Sequence, residues 1–210
     1  MKGSIYKTVI KPLADRFFAL ALLLLLWPVM LLTAMAVFLF GGRGPIVFKQ
    51  QRAGFKGQLF EILKFRTMEV IVPDYEEDAP INNPEFYPVK ARVTKAGKFL
   101  RLSSLDELPQ LINVLKGDMS IVGPRPLLPE YLPLYSVLQA QRHKVKPGIT
   151  GLSQVLGRNA VSWQRRLATD VVYVRKQSFC LDCYILLLTL FKLLKGPSET
   201  EHADMQAFTG

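Results

Sequence analysis

Hydrophobic and polar positions are distributed unevenly along the 210 residues of the chain. From Phe17 to Phe40 there are 24 consecutive residues without a charge. That is enough, at 1.5 Å per residue, for a helix to cross a hydrocarbon layer. Trp27-Pro28 lies near the middle of the run. A proline there removes a backbone hydrogen bond and clashes with the preceding turn, at about 3 kcal/mol. Basic residues flank the run on both sides: Lys2, Lys7, Lys11 and Arg16 before it, Arg43, Lys49, Arg52 and Lys56 after it. The positive-inside rule then assigns both ends to the cytoplasm. A re-entrant segment that enters, bends at Pro28 and leaves by the same face satisfies both observations, with a helical arm on each side as lipid requires. A kinked spanning helix is its rival. A cleaved secretory signal is not favoured, because the apolar run is too long and continues past Ala34-Met35-Ala36.

Beyond the run the pattern shortens. Val47 to Met68 shows two stretches rich in Val, Phe and Ile around Arg52-Ala53-Gly54-Phe55-Lys56-Gly57, which predicts a hairpin. Residues 73–88 combine Pro73, Pro80, Pro84 and Pro88 with acids from Asp74 to Asp78, the signature of a surface loop. Helices are predicted over Thr94–Arg101, Leu105–Leu115, Leu128–His143, Trp163–Lys176 and Leu181–Lys195, with a short buried strand over Met119–Val122 that ends at Gly123-Pro124-Arg125-Pro126. The last helix is too short to span and either packs in the core or, the favoured reading, lies in the membrane interface with Lys192 and Lys195 snorkelling at its end. The expected fold class is α+β, mainly helical: a re-entrant membrane helix broken at Pro28 (residues 1–40), then one cytoplasmic-face catalytic domain with a small β-hairpin and amphipathic interfacial helices (41–197), then a polar tail (198–210).

Composition narrows the function classes. Half the residues are hydrophobic, and 27 Lys+Arg against 17 Asp+Glu leave a net charge of +10, which excludes a disordered tail and suits an anionic partner. Nucleic acid, acidic phospholipid and a phosphate-rich substrate all fit that charge. Cys180 and Cys183 are the only cysteines, so there is no disulfide framework, and a reducing compartment is the simpler assumption. They form a C-x-x-C with no second pair, and His143 and His202 are remote in sequence, so a four-ligand zinc site is not expected.

The most informative stretch is Leu100-Arg101-Leu102-Ser103-Ser104-Leu105-Asp106-Glu107-Leu108-Pro109-Gln110-Leu111. A capping box, with Ser104 as cap and Glu107 returning the bond, accounts for two of these residues but leaves Pro109 too deep in the helix. A helix beginning near Leu108 puts the proline at its preferred first position. Either placement leaves Asp106 and Glu107 at a helix N-terminus, where ionised carboxylates are favoured. Asp106 is then available as a nucleophile and Glu107 as a ligand for Mg²⁺, which needs only one or two carboxylates beside substrate phosphates. Lys95, Lys98 and Arg101 precede the pair, and Arg125, between two prolines, presents a fork suited to phosphate; Arg158-Asn159 adds donors after Gly148-Ile149-Thr150-Gly151.

Six motifs then occur in order: Gln51-Arg52-Ala53-Gly54, Lys64-Phe65-Arg66-Thr67-Met68, the Ser104–Gln110 block, Gly117-Asp118-Met119-Ser120, Gly123-Pro124-Arg125-Pro126 and Lys146-Pro147-Gly148-Ile149-Thr150-Gly151. Together they resemble the bacterial sugar transferases, and more narrowly the small monotopic phosphoglycosyl transferases of the PglC type, over roughly residues 5–195. The resemblance implies transfer of a phosphosugar from a nucleotide diphosphate sugar, usually a UDP-sugar, to polyprenol phosphate at the cytoplasmic face of the bacterial inner membrane, with release of UMP. It implies Asp106 as covalent nucleophile in a ping-pong mechanism, Glu107 as magnesium ligand, and Arg101, Arg125 and Arg158 as phosphate contacts. It also implies an N-acetylated UDP-sugar as donor. The family's anchor often breaks at Ser-Pro, whereas Trp27 precedes Pro28 here. The implied partners are the nucleotide sugar, polyprenol phosphate and membrane phospholipid, with no nucleic acid. Two rivals remain: Asp106 as a base for direct attack by polyprenol phosphate, and a non-enzymatic basic module on nucleic acid or acidic lipid, which leaves two adjacent carboxylates unexplained.

Overall fold

The computed structural model describes residues 5–42, 44–69, 93–157, 161–195 and 208. The loop expected over 73–88, Arg158, and the expected tail apart from Phe208 lie outside the described residues. The chain divides into two compact units, one of residues 1–25, 49–62 and 110–210 and the other of residues 26–48 and 63–109. Helix α1 (Lys11–Phe40) and strands β1 (Val47–Ala53) and β2 (Leu59–Phe65) contribute residues to each. The hairpin forms where the two stretches rich in Val, Phe and Ile predicted it, around a tight turn at Phe55–Gly57.

Along α1 the apolar surface is left uncovered: the helical stretch Tyr6–Phe40 has a mean hydropathy of 2.5, and only 11% of that window is buried. Phe17, Leu24, Trp27, Leu31, Phe38 and Phe40 all point outward. That much exposed hydrocarbon on one helix fits lipid rather than water. Helical structure persists on both sides of Pro28, so the proline sits inside a continuous helix and no loop separates two arms. Thr33 donates its hydroxyl to the Val29 carbonyl at 2.8 Å, a back-bond of the kind that bends helices.

In the first unit, β3 (Ser120–Val122) pairs in parallel with β4 (Gly148–Thr150) in the register Ser120↔Gly148 and Val122↔Thr150. Glycine is required at 148, since a Cβ there would lie 2.1 Å from the Gly123 amide. Three helices cover this pair: α4 (Leu152–Gly157), α5 (Trp163–Lys176) and α6 (Phe179–Lys195). Val122, Val155, Tyr173 and Ile185 form the core. Helix α5 has the predicted bounds, with Ser162 capping Arg165 N–H. Strand β4 and helix α4 were not anticipated. The single helix expected over Leu128–His143 is instead two short 3₁₀ segments, Pro129–Leu134 and Gln139–Lys144; Pro129 and Pro133 remove the amides an α-helix would need. Tyr131, Tyr135 and Trp163 pack around buried Leu127, Leu167 and Phe208, as core aromatics.

Helix α6 resolves its two alternatives by face. Ile185 is fully buried and Leu181 and Leu188 pack on the core, while Phe179, Leu187, Leu190 and Leu194 are exposed. The start of α1 is held in this unit by polar groups: Lys11 Nζ lies 2.9 Å from Asp182 and 3.5 Å from Asp15, Tyr6 donates to Asp182, and Ser120 donates to Asp15 at 2.6 Å.

In the second unit, Val37 near the end of α1 is fully buried against Phe65 and against Leu100 of α2 (Lys95–Ser103). Arg66 donates to the Gly42 carbonyl at 2.8 Å, placing a cation just beyond the helix C-terminus, where the dipole favours it. Thr94 caps α2 by accepting from Gly97 N–H at 2.9 Å. Gly97 permits a close approach: a Cβ there would sit 1.9 Å from the Thr67 carbonyl oxygen.

Candidate functional site

The chain leaves α2 through Ser104, whose φ of 57° and ψ of 17° are left-handed. That conformation costs a non-glycine residue about 1–2 kcal/mol. It turns the chain into a 3₁₀ segment, Leu105–Glu107, followed by α3 (Gln110–Lys116). The capping box is overturned: Ser104 makes no side-chain capping bond. Pro109 is buried one residue ahead of α3, so the helix starts later than either placement, or the predicted span Leu105–Leu115, expected.

Asp106 and Glu107 thus occupy the 3₁₀ turn before α3, not its first turn. A seven-residue helix contributes a weak dipole, and the local cations matter more. Lys64, near the end of β2, donates to Glu107 Oε1 at 2.8 Å, and both side chains are under one-fifth exposed. Asp106 is buried to 9% exposure. Arg101, on the last turn of α2, donates Nε–H to Thr67 Oγ1 at 2.9 Å. The packing of Gly97 on Thr67 brings Arg101 to that hydroxyl one turn later. Asp106, Glu107 and Arg101 therefore belong to one unit with two residues whose roles local sequence did not reveal, Lys64 and Thr67. The signal available was Lys64-Phe65-Arg66-Thr67-Met68, which places Lys64 and Arg66 at the end of β2.

Among the described residues no group of three or more His, Cys, Asp or Glu side chains gathers to hold a metal. The C-x-x-C cysteines are free, with Cys180 exposed. Two adjacent carboxylates offer only oxygen donors, a set that fits Mg²⁺ once substrate phosphates complete the shell.

Arg125 belongs to the other unit. It is half-buried between buried Pro124 and Pro126. A small cavity of about 10 Å³ adjoins it, lined also by Gly54, Pro124, Arg142, His143 and Pro147. His143 donates Nδ1–H to the Gly54 carbonyl at 3.0 Å. Burial pushes its pKa below 6.5 and the neighbouring Arg142 charge pushes it in the same direction, so the imidazole is neutral. Arg166 on α5 stacks on Trp163 at 4.9 Å, and burial together with the nearby Arg125 lowers its pKa to about 10.

Comparison with known proteins follows the same stretch of chain. The bacterial sugar transferase family profile matches residues 6–196. An uncharacterized sugar transferase of Bacillus subtilis, EpsL, is 48% identical over 204 residues, covering 96% of each chain. The UDP-glucose:undecaprenyl-phosphate glucose-1-phosphate transferase of Escherichia coli is 42% identical over 193 residues, which cover 88% of this chain and 40% of that protein. The exopolysaccharide production protein ExoY of Rhizobium meliloti is 39% identical over 181 residues, 82% of this chain and 80% of ExoY.

Proposed function

Since the chain belongs to the bacterial sugar transferase family, we propose that it transfers a phosphosugar from a nucleotide diphosphate sugar, a UDP-sugar, to polyprenol phosphate, giving polyprenol diphosphate sugar and UMP. The observation that carries this reading is the dyad in its basic frame: Asp106 and Glu107 side by side, with Lys64 on Glu107 and Arg101 in the same unit. Relatives named as UDP-glucose:undecaprenyl-phosphate glucose-1-phosphate transferases, at 41–42% identity, support it and make a UDP-hexose a better first donor to assay than an N-acetylated sugar.

The Asp106 carboxylate attacks the phosphorus that carries the sugar, the bond from that phosphorus to the bridging oxygen breaks, and UMP leaves with the bond's electron pair. A polyprenol phosphate oxygen then attacks the same phosphorus and returns Asp106 as a carboxylate. Lys64 holds Glu107 in register beside the nucleophile. Glu107 would hold Mg²⁺, which supplies neutralisation of charge developing on the diphosphate. Arg101 and Arg125, with Arg158, bind substrate phosphates.

The reading places the protein on the cytoplasmic face of the bacterial inner membrane as a monotopic enzyme at the start of glycoconjugate assembly. Both ends of α1 support this, because each packs on chain outside the helix: Lys11 on Asp182, Val37 on Phe65 and Leu100. Membrane phospholipid then covers the remaining apolar surface, and nucleic acid has no part. Cysteines introduced at exposed Ile5 and Gly44 should be labelled from the same side in oriented vesicles; labelling from opposite sides would restore the spanning helix.

For the chemistry, mass spectrometry of protein incubated with UDP-glucose alone should find a phosphosugar adduct on Asp106, with release of UMP. Turnover without an adduct favours direct attack by polyprenol phosphate. No UMP release from any nucleotide sugar, with or without polyprenol phosphate, leaves the binding module.

A further inference from the structure

Asp170 is an acid on the α5 face that also buries Leu167, Val171 and Tyr173. Its side chain is 1% exposed and that of its partner Arg142 is 2% exposed. Arg142 donates to Asp170 Oδ2 through Nε at 3.1 Å and Nη2 at 2.8 Å, and Ser153 donates to Oδ1 at 2.8 Å. An ion pair this dry is a poor source of stability, because desolvation consumes what the charges gain and apolar side chains of equal volume serve as well. The guanidinium does one thing an apolar side chain cannot. Its Nη2 also donates to the backbone carbonyl of Arg125 at 2.6 Å.

That bond completes a set. Gly123 N–H donates to the Thr150 carbonyl at 2.9 Å, and Gly148 N–H donates to the Pro124 carbonyl at 3.0 Å. Three consecutive residues are thereby tied through their backbones, and the flanking prolines fix two φ angles. Arg125 is the partly exposed member of this turn, between buried Pro124 and Pro126. We propose that Arg142 and Asp170 are positioning residues for the Pro124-Arg125-Pro126 turn, aiming the Arg125 guanidinium at a phosphate of the nucleotide sugar. This rests on the phosphate-binding reading of Arg125. Asp170 holds Arg142 in the plane that reaches the carbonyl, Ser153 holds Asp170, and neither acid nor base touches substrate.

The test uses the full chain in lipid nanodiscs with UDP-glucose and polyprenol phosphate. The combined replacement Arg142→Met, Asp170→Leu, Ser153→Ala removes the charges and their partner together and should keep a parent-like melting temperature. KM for the nucleotide sugar should rise about tenfold to a hundredfold, the range for small misplacement of a binding group, while kcat changes less. In an Arg125→Ala background the same replacement should change kcat/KM by less than about twofold, because the residue it positions is gone. Parent KM in the folded triple variant overturns the proposal, and so does a full additional loss in the Arg125→Ala background. Should the triple variant not fold, Arg142→Lys keeps the charge but cannot span both acceptors; it is expected to raise KM in the same way, and parent KM there overturns the proposal equally. If Arg125→Ala alone leaves KM unchanged, the phosphate reading of Arg125 is what has failed.

Discussion

Two ion pairs of this protein are built alike and placed differently. Lys64–Glu107 closes at 2.8 Å with its side chains 19% and 18% exposed, between the end of a strand and a 3₁₀ turn entered through a left-handed serine. Arg142–Asp170 closes at the same distance with 2% and 1% exposure, bracketed by a buried serine and a backbone carbonyl. The first pair keeps partial access to water, which leaves it open to exchange of partners. The second cannot exchange anything without opening the core. Equal geometry therefore supports opposite uses, a responsive pair beside the dyad and a fixed one behind the arginine turn, and burial decides which.

That contrast can be broken most forcefully at Asp106, the proposed nucleophile. Asp106→Asn should reduce turnover about a thousandfold or more, with no adduct detectable by mass spectrometry. The melting temperature should stay near that of the parent, because the proposal gives this carboxylate a chemical role. Asp170→Ala should act first on stability, with its kinetic effect on KM and little on turnover. Leaving Arg142 charged and unpaired in the core should cost about 3–5 kcal/mol of stability in chemical denaturation.

Lys64→Met sharpens the comparison from the other side. A partly exposed pair is worth about 1 kcal/mol or less to stability, so denaturation should scarcely move while turnover falls. A large stability loss at Lys64 would mean that the two pairs are alike after all. Gly97→Ala should cost about 1–3 kcal/mol, because its Cβ would meet the Thr67 backbone and not a flexible side chain, and it should loosen Arg101 from Thr67.

The smallest effect expected is one of pH. His143 is buried neutral beside Arg142, with its folded-state pKa below 6.5. The unfolded chain then binds the proton more readily, so the stability contributed by the neutral ring is fully present above pH 6.5. It is lost as the pH falls from there through the folded-state pKa. Thermal melts from pH 7.5 down to 5 should show this decline, and His143→Gln should flatten it. An unchanged slope in that variant would place the titrating group elsewhere.

Local pattern alone determined several features. The exposed apolar surface of α1 follows from an uncharged run of 24 residues. The bounds of α5 follow from a serine cap and helical periodicity over Trp163–Lys176. Asp106 and Glu107 stood out as adjacent acids amid cations. What surrounds them was decided only in three dimensions. Ser104 adopts a left-handed conformation that a capping pattern does not foretell, since tertiary packing selects it against local preference. Lys64 reaches Glu107 across a long stretch of chain, and β3 finds β4 in parallel register, a pairing with no turn to announce it. Asp170 offered one hint, an acid on the apolar face of its helix. Its partner could not be read, because propensity and periodicity act over a few residues, whereas the cost of burying a charge is settled by whatever group the completed fold brings beside it.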